Sequence, residues 1–96
     1  MGVLMKILHL TLKKKWFDMI LSGIKKEEYR EIKEYWNKRL DNARNADAIC
    51  FKNGYSKNAP QFTIELIEIC KGHGKIEWGA PSGKLVYILK LGKLIT

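Results

Sequence analysis

Residues 85–91, Leu-Val-Tyr-Ile-Leu-Lys-Leu, form a nearly unbroken apolar stretch rich in β-branched and aromatic side chains. No other feature restricts the fold as strongly, because a run this short and this β-prone reads as a strand buried on both sides. Other elements must therefore cover both of its faces. They come from a chain of 96 residues, which is one domain's worth of sequence.

The remaining patterns supply those elements in order. Leu8, Leu10 and Leu12 alternate with Ile7, His9 and Thr11, so residues 5–12 are expected as a strand with a leucine core face. From Lys13 the period becomes helical: Trp16, Met19 and Ile20 share a face, residues 13–22 form a short helix, and Gly23 stands where a left-handed cap is wanted. Residues 27–32 alternate weakly as a second strand, residues 34–40 form a second helix, and residues 48–51 a short buried strand. Asn53-Gly54 marks a turn, and residues 56–60 extend that loop. Phe62, Ile64 and Leu66 alternate before the apolar set jumps to Ile67 and Ile69, a phase change expected of a β-bulge near Leu66–Ile67. Residues 71–83, with four glycines and Pro81, read as a long loop anchored by Ile76 and Trp78. The fold class is α+β: a small mixed β-barrel with two short helices, occupying residues 1–96 as a single domain.

Charge narrows the partner. Eighteen Lys and Arg against ten Asp and Glu give a net charge of +8, spread over the successive thirds as +3, +3 and +2. A positive excess of this size points to polyanions such as RNA or nucleotides. No tail concentrates it, so folding must assemble any basic patch, here a basic cleft. A hydrophobic fraction of 46% excludes the disordered classes. No apolar run approaches the ~20 residues of a membrane helix, and Met1 to Leu12 has neither the apolar region nor the cleavage site of a signal peptide, so a soluble, cytoplasmic protein without a membrane partner is expected. Cys50 and Cys70 read as reduced thiols, and with only His9 and His73 as further soft ligands neither a metal nor a cofactor is expected.

The densest polar constellation is Gly23-Ile24-Lys25-Lys26-Glu27-Glu28-Tyr29-Arg30. Strand alternation gives Glu28 and Arg30 one side and Glu27 and Tyr29 the other, so Lys25, Glu28 and Arg30 are expected to line one partly exposed mouth with Tyr29 facing away. Tyr29, Tyr35, Trp36, Tyr55 and Trp78 are the aromatics available for stacking on bases, Tyr55 as the exposed platform and Trp36 as core.

Leu10-Thr11-Leu12, the segment Lys15-Trp16-Phe17-Asp18-Met19-Ile20-Leu21-Ser22-Gly23, then Lys25 and Glu28-Tyr29-Arg30 resemble the ASCH family, the activating-signal-cointegrator homology domains. The likeness runs from Lys6 to Trp36 and returns in Val86 to Gly92. It implies a PUA-like barrel of five or six strands with a cleft lined by the Gly-x-Lys and Glu-x-Arg segments, in a family proposed to bind RNA. By this resemblance Lys25 and Arg30 are cleft residues and Glu28 holds the acidic position.

Two functions follow as expectations. In the first, an RNA- or nucleotide-binding module, Lys25 and Arg30 contact the ligand, Glu28 orients them, Lys15, Lys52 and Lys57 widen the positive field with Lys13 and Lys14, and Tyr55 stacks. The alternative is a small amidohydrolase acting on acetylcytidine or a similar modified nucleoside, an activity the resemblance brings with it, in which Lys25 and Glu28 would be catalytic and Glu77 is a further acid. That family activity uses a threonine where this chain has Glu28. A protein-interaction module is a third reading.

Overall fold

The structure, a computed structural model, describes residues 4–96; Met1, Gly2 and Val3, the start of the segment read for a leader, lie outside the described residues. Its elements follow the expected order: β1 (Ile7–Thr11), α1 (Lys14–Leu21), β2 (Glu27–Arg30), α2 (Glu34–Asp41), β3 (Ala48–Lys52), β4 (Gln61–Gly72), a 3-10 turn (Ile76–Trp78) and β5 (Val86–Leu94). Five strands form one mixed sheet in the order β1-β3-β4-β5-β2, in which only the β1–β3 pair is parallel. The apolar run from Val86 to Leu89 is buried throughout, and its strand lies between β4 and β2.

β4 curls this sheet. It pairs with β3 through Gln61 to Glu65 and with β5 from Ile64 onward, and the β5 register shifts twice, between Ile64 and Leu66 and between Leu66 and Glu68. The second shift falls beside the position of the expected bulge. The first extra residue lies in β5 and the second in β4; such irregularities bend a strand and raise its twist, so twelve residues of β4 can serve two neighbours that diverge. The core inside the curl joins Leu8 and Leu10 of β1, Phe17 and Ile20 of α1, Leu40 of α2 and the inward residues of the other strands. Phe62 sits at its centre, edge-on to Phe17 at 4.8 Å and tilted against Phe51 at 5.7 Å. Burying each of these side chains contributes ~1.5–3 kcal/mol.

The expected barrel does not close. The sheet is a half-barrel, with β1 and β2 as its two edges and no ladder between them. Side chains lie across the open seam instead. Arg30 Nη2 donates to the Thr11 carbonyl at 3.0 Å, and Arg39 Nη2 of α2 donates to the His9 carbonyl at 2.6 Å. Cys50 is buried, Cys70 half-buried, and both are free. Among the described residues no helix is long and apolar enough to cross a membrane.

Candidate functional site

The site begins at the end of α1. Gly23 has φ +85°, a left-handed conformation that glycine adopts without the Cβ clash, and the turn lets the Ile24 and Lys25 amides both donate to the Met19 carbonyl at 3.0 Å. Lys25 is thereby pinned under the helix rather than at a mouth. Its side chain is 1% exposed, with Nζ 4.5 Å from the Trp16 ring and 5.1 Å from the Tyr29 ring. Nζ donates to the Trp78 carbonyl from the 3-10 turn and pairs with Glu28 Oε1 at 3.0 Å. Burial is the main cause that lowers the Lys25 pKa below its ordinary value; Glu28 opposes that shift and Arg30 adds to it.

Glu28 and Arg30 leave β2 on one side, as alternation requires. The second Glu28 oxygen accepts from Arg30 Nη2 at 2.8 Å, so the 7% exposed carboxylate lies between two cations in a chain Lys25–Glu28–Arg30. Burial raises the strength of each pair and the cost of breaking one. Arg30 Cζ also stacks 4.9 Å from the Trp36 ring centroid. Its Nε is buried and has no hydrogen-bond partner, although buried donors are nearly always satisfied.

Around Arg30 opens a cleft of about 810 Å³, lined by residues of β1, α1, β2, α2 and the loop after β3. Asn53 fixes that loop by donating from Nδ2 to the Leu12 carbonyl at 2.9 Å, and its amide donates to the Pro60 carbonyl at 2.9 Å. Tyr55 consequently stands at the rim, 90% exposed, with its hydroxyl 3.4 Å from Thr11 Oγ1.

The segment after β4 packs behind Trp16 and Tyr29, outside the cleft lining. Gly74 lies so close to Tyr29 that a Cβ there would come within 2.5 Å of the ring, and Gly79, at φ +100°, packs on Trp16. The Tyr29 hydroxyl donates to Glu27 Oε1 at 2.8 Å and accepts from the Lys75 amide at 3.0 Å. Burial, with Glu27 assisting, pushes the Tyr29 phenol up to about 12.

Several expectations need correction. Lys25 is not a partly exposed lining residue, because the 3-10 turn and Trp16 cover it. Tyr29 keeps the side it shares with Glu27, to which its hydroxyl donates, but it is not remote from the site: its ring lies 5.1 Å from Lys25 Nζ and the residue borders the cleft. Trp36 is only partly core and also lines the cleft. The cleft's lining charges balance, Lys13 and Arg30 against Glu28 and Glu31, so it is not basic in itself. The expected field is dispersed: Lys14 pairs with Asp18 at 2.6 Å, Lys15 lies beside the Trp16 ring at 4.7 Å, and Lys52 and Lys57 stand outside the lining. Glu77 and His73 are exposed and also lie outside it.

Residues the sequence did not single out complete the arrangement: Thr11 and Asn53 as polar lining, and Arg39 beside Trp36 and Tyr35. The spacing of Tyr35 and Arg39, four apart on a helix, carried the one available signal. No protein-family model, curated protein or solved structure matches the chain.

Proposed function

We propose that the chain is an RNA- or nucleotide-binding module of the ASCH type, its half-barrel a PUA-like fold and its cleft the binding site. The observation that carries this reading is Arg30: a guanidinium held at the cleft by Glu28, Thr11 and Trp36. A phosphate or a base edge is the kind of partner a guanidinium so placed suits. The cleft volume of about 810 Å³ falls in the range of small-molecule sites, ~300–1,000 Å³, which accommodates a nucleotide. The exposed Tyr55 at its rim supplies an aromatic face on which a base can stack.

An amidohydrolase acting on acetylcytidine would need Lys25 as a free base or nucleophile. Nζ is instead paired with Glu28, donated to the Trp78 carbonyl and kept out of the cleft lining, which favours binding over turnover.

Fluorescence anisotropy of labelled single-stranded RNA at two salt concentrations tests the reading. Binding is expected to weaken with salt by ~0.7 in log affinity per log salt for each phosphate contacted, and Arg30→Ala to abolish most of it. RNA binding undetectable at low salt, or unchanged in Arg30→Ala, overturns it. Acetylcytidine incubated with the protein is expected to keep its acetyl group, and loss that disappears in Lys25→Ala would establish the enzyme instead.

A further inference from the structure

A second cavity of about 310 Å³ opens beside the cleft, between α2 and the exposed edge of β1. The two adjoin, since Thr11, Arg30, Trp36 and Tyr55 line both. Their chemistry differs. The main cleft carries Glu28 and Glu31, whereas the second cavity has no carboxylate in its lining and holds two guanidiniums, Arg30 and Arg39, together with His9. Arg39 lies 5.8 Å from the Trp36 ring and donates from Nη1 to the Tyr35 hydroxyl at 3.3 Å. With both guanidiniums near the Trp36 ring, the freer aromatic surfaces are Tyr35, 58% exposed, and Tyr55, 90% exposed.

We infer that this cavity is a subsite for a neighbouring nucleotide, so that the ligand is a single strand of two or more nucleotides rather than a free mononucleotide. The inference rests on the proposed cleft function and adds the length of its ligand. Arg30 lines both cavities, and a phosphate linking two nucleotides would lie beside it, with Arg39 as a second cation on the outer side. The positive potential missing from the balanced main cleft is supplied here, where the lining is wholly cationic or neutral. Tyr35, which lines this cavity and not the main cleft, accepts a base of any identity, because every base presents a flat face. The subsite therefore adds affinity for length more than for sequence.

Calorimetric titration of the intact chain with uridine monophosphate, the dinucleotide pUpU and a uridine hexanucleotide tests the inference. The dinucleotide is expected to bind roughly tenfold or more tightly than the mononucleotide, the gain of one stacked base and a second phosphate contact. Tyr35→Ala should remove most of that gain and leave mononucleotide affinity within about twofold, since Tyr35 lines the second cavity and not the main cleft, while Tyr35→Phe should preserve it. Tyr35 is exposed, so the variants retain the fold, which circular dichroism verifies. Equal affinity for mononucleotide and longer strands overturns the subsite and leaves the cleft reading standing. A length gain undiminished in Tyr35→Ala also overturns it. Absence of binding by all three probes overturns both.

Discussion

Replacing Lys25 by methionine is the sharpest test of the buried chain Lys25–Glu28–Arg30. Methionine keeps an unbranched apolar stem of similar length and deletes only the ammonium, so little of the expected effect comes from a cavity. Breaking a buried ion pair costs ~3–5 kcal/mol because one charge is left uncompensated. Here Glu28 keeps Arg30 at 2.8 Å, which places the loss at the lower end, about 3 kcal/mol. The Trp78 carbonyl also loses its donor, adding about 1 kcal/mol. Glu28→Gln should cost more, about 5 kcal/mol, since it leaves two cations beside each other with no carboxylate between them. As a reference, Lys14→Met removes an exposed pair with Asp18 and should change stability by less than about 1 kcal/mol. Urea unfolding followed by tryptophan fluorescence measures all three, and thermal melting should place Lys25→Met at least ~16 °C below the parent, at ~4–8 °C per kcal/mol for a domain of this size. A Lys25→Met variant within about 1 kcal/mol of the parent, or one less stable than Glu28→Gln, refutes the reasoning.

Two further perturbations probe the wall beside this chain. The Tyr29 phenol rises from 10.0 to about 12 on folding, so between those values the folded state keeps a proton that the unfolded chain has lost. Its stabilisation is therefore complete below pH 10 and lost as pH rises through 12; unfolding midpoints should fall more steeply in the parent than in Tyr29→Phe over that window, and parallel curves would exclude it. Gly74→Ala should cost ~1–3 kcal/mol, because its Cβ would meet the Tyr29 ring at 2.5 Å and Ala80 Cβ at 2.7 Å, both held in place. Gly92→Ala meets the end of the exposed Glu65 side chain and the Ile67 tip, which can turn aside, and should cost far less in the same melts.

The legible parts of the fold were those written in local signals. The change from period 2 to helical spacing at Lys13 located α1 to within a residue, and Gly23 marked its end because left-handed backbone favours that residue. Glu28 and Arg30 were placed together by strand parity alone. Burial of Lys25 was not legible, since the carbonyl that accepts its proton belongs to Trp78, fifty-three residues away, and nothing near Lys25 records that contact. Tyr29 kept the side parity assigns, beside Glu27, but parity does not record how near a long ring comes to a neighbour, here 5.1 Å from Lys25 Nζ. Arg39 escaped notice because its partner His9 contributes a main-chain oxygen, which every residue possesses.

The two guanidiniums on β1 also bear on how this chain meets copies of itself. An edge strand normally offers a row of unpaired carbonyls and amides to any passing strand, and such edges seed aggregation unless they are blunted. The outward carbonyls of His9 and Thr11 are each occupied by an arginine, so an incoming strand would first have to displace two cations. Arg30 thus guards the edge as well as furnishing the cleft. Its loss would open a template for strand addition at the same moment that it removed a donor from the site, and Arg30→Ala should be handled at low concentration, with light scattering recorded beside every binding curve.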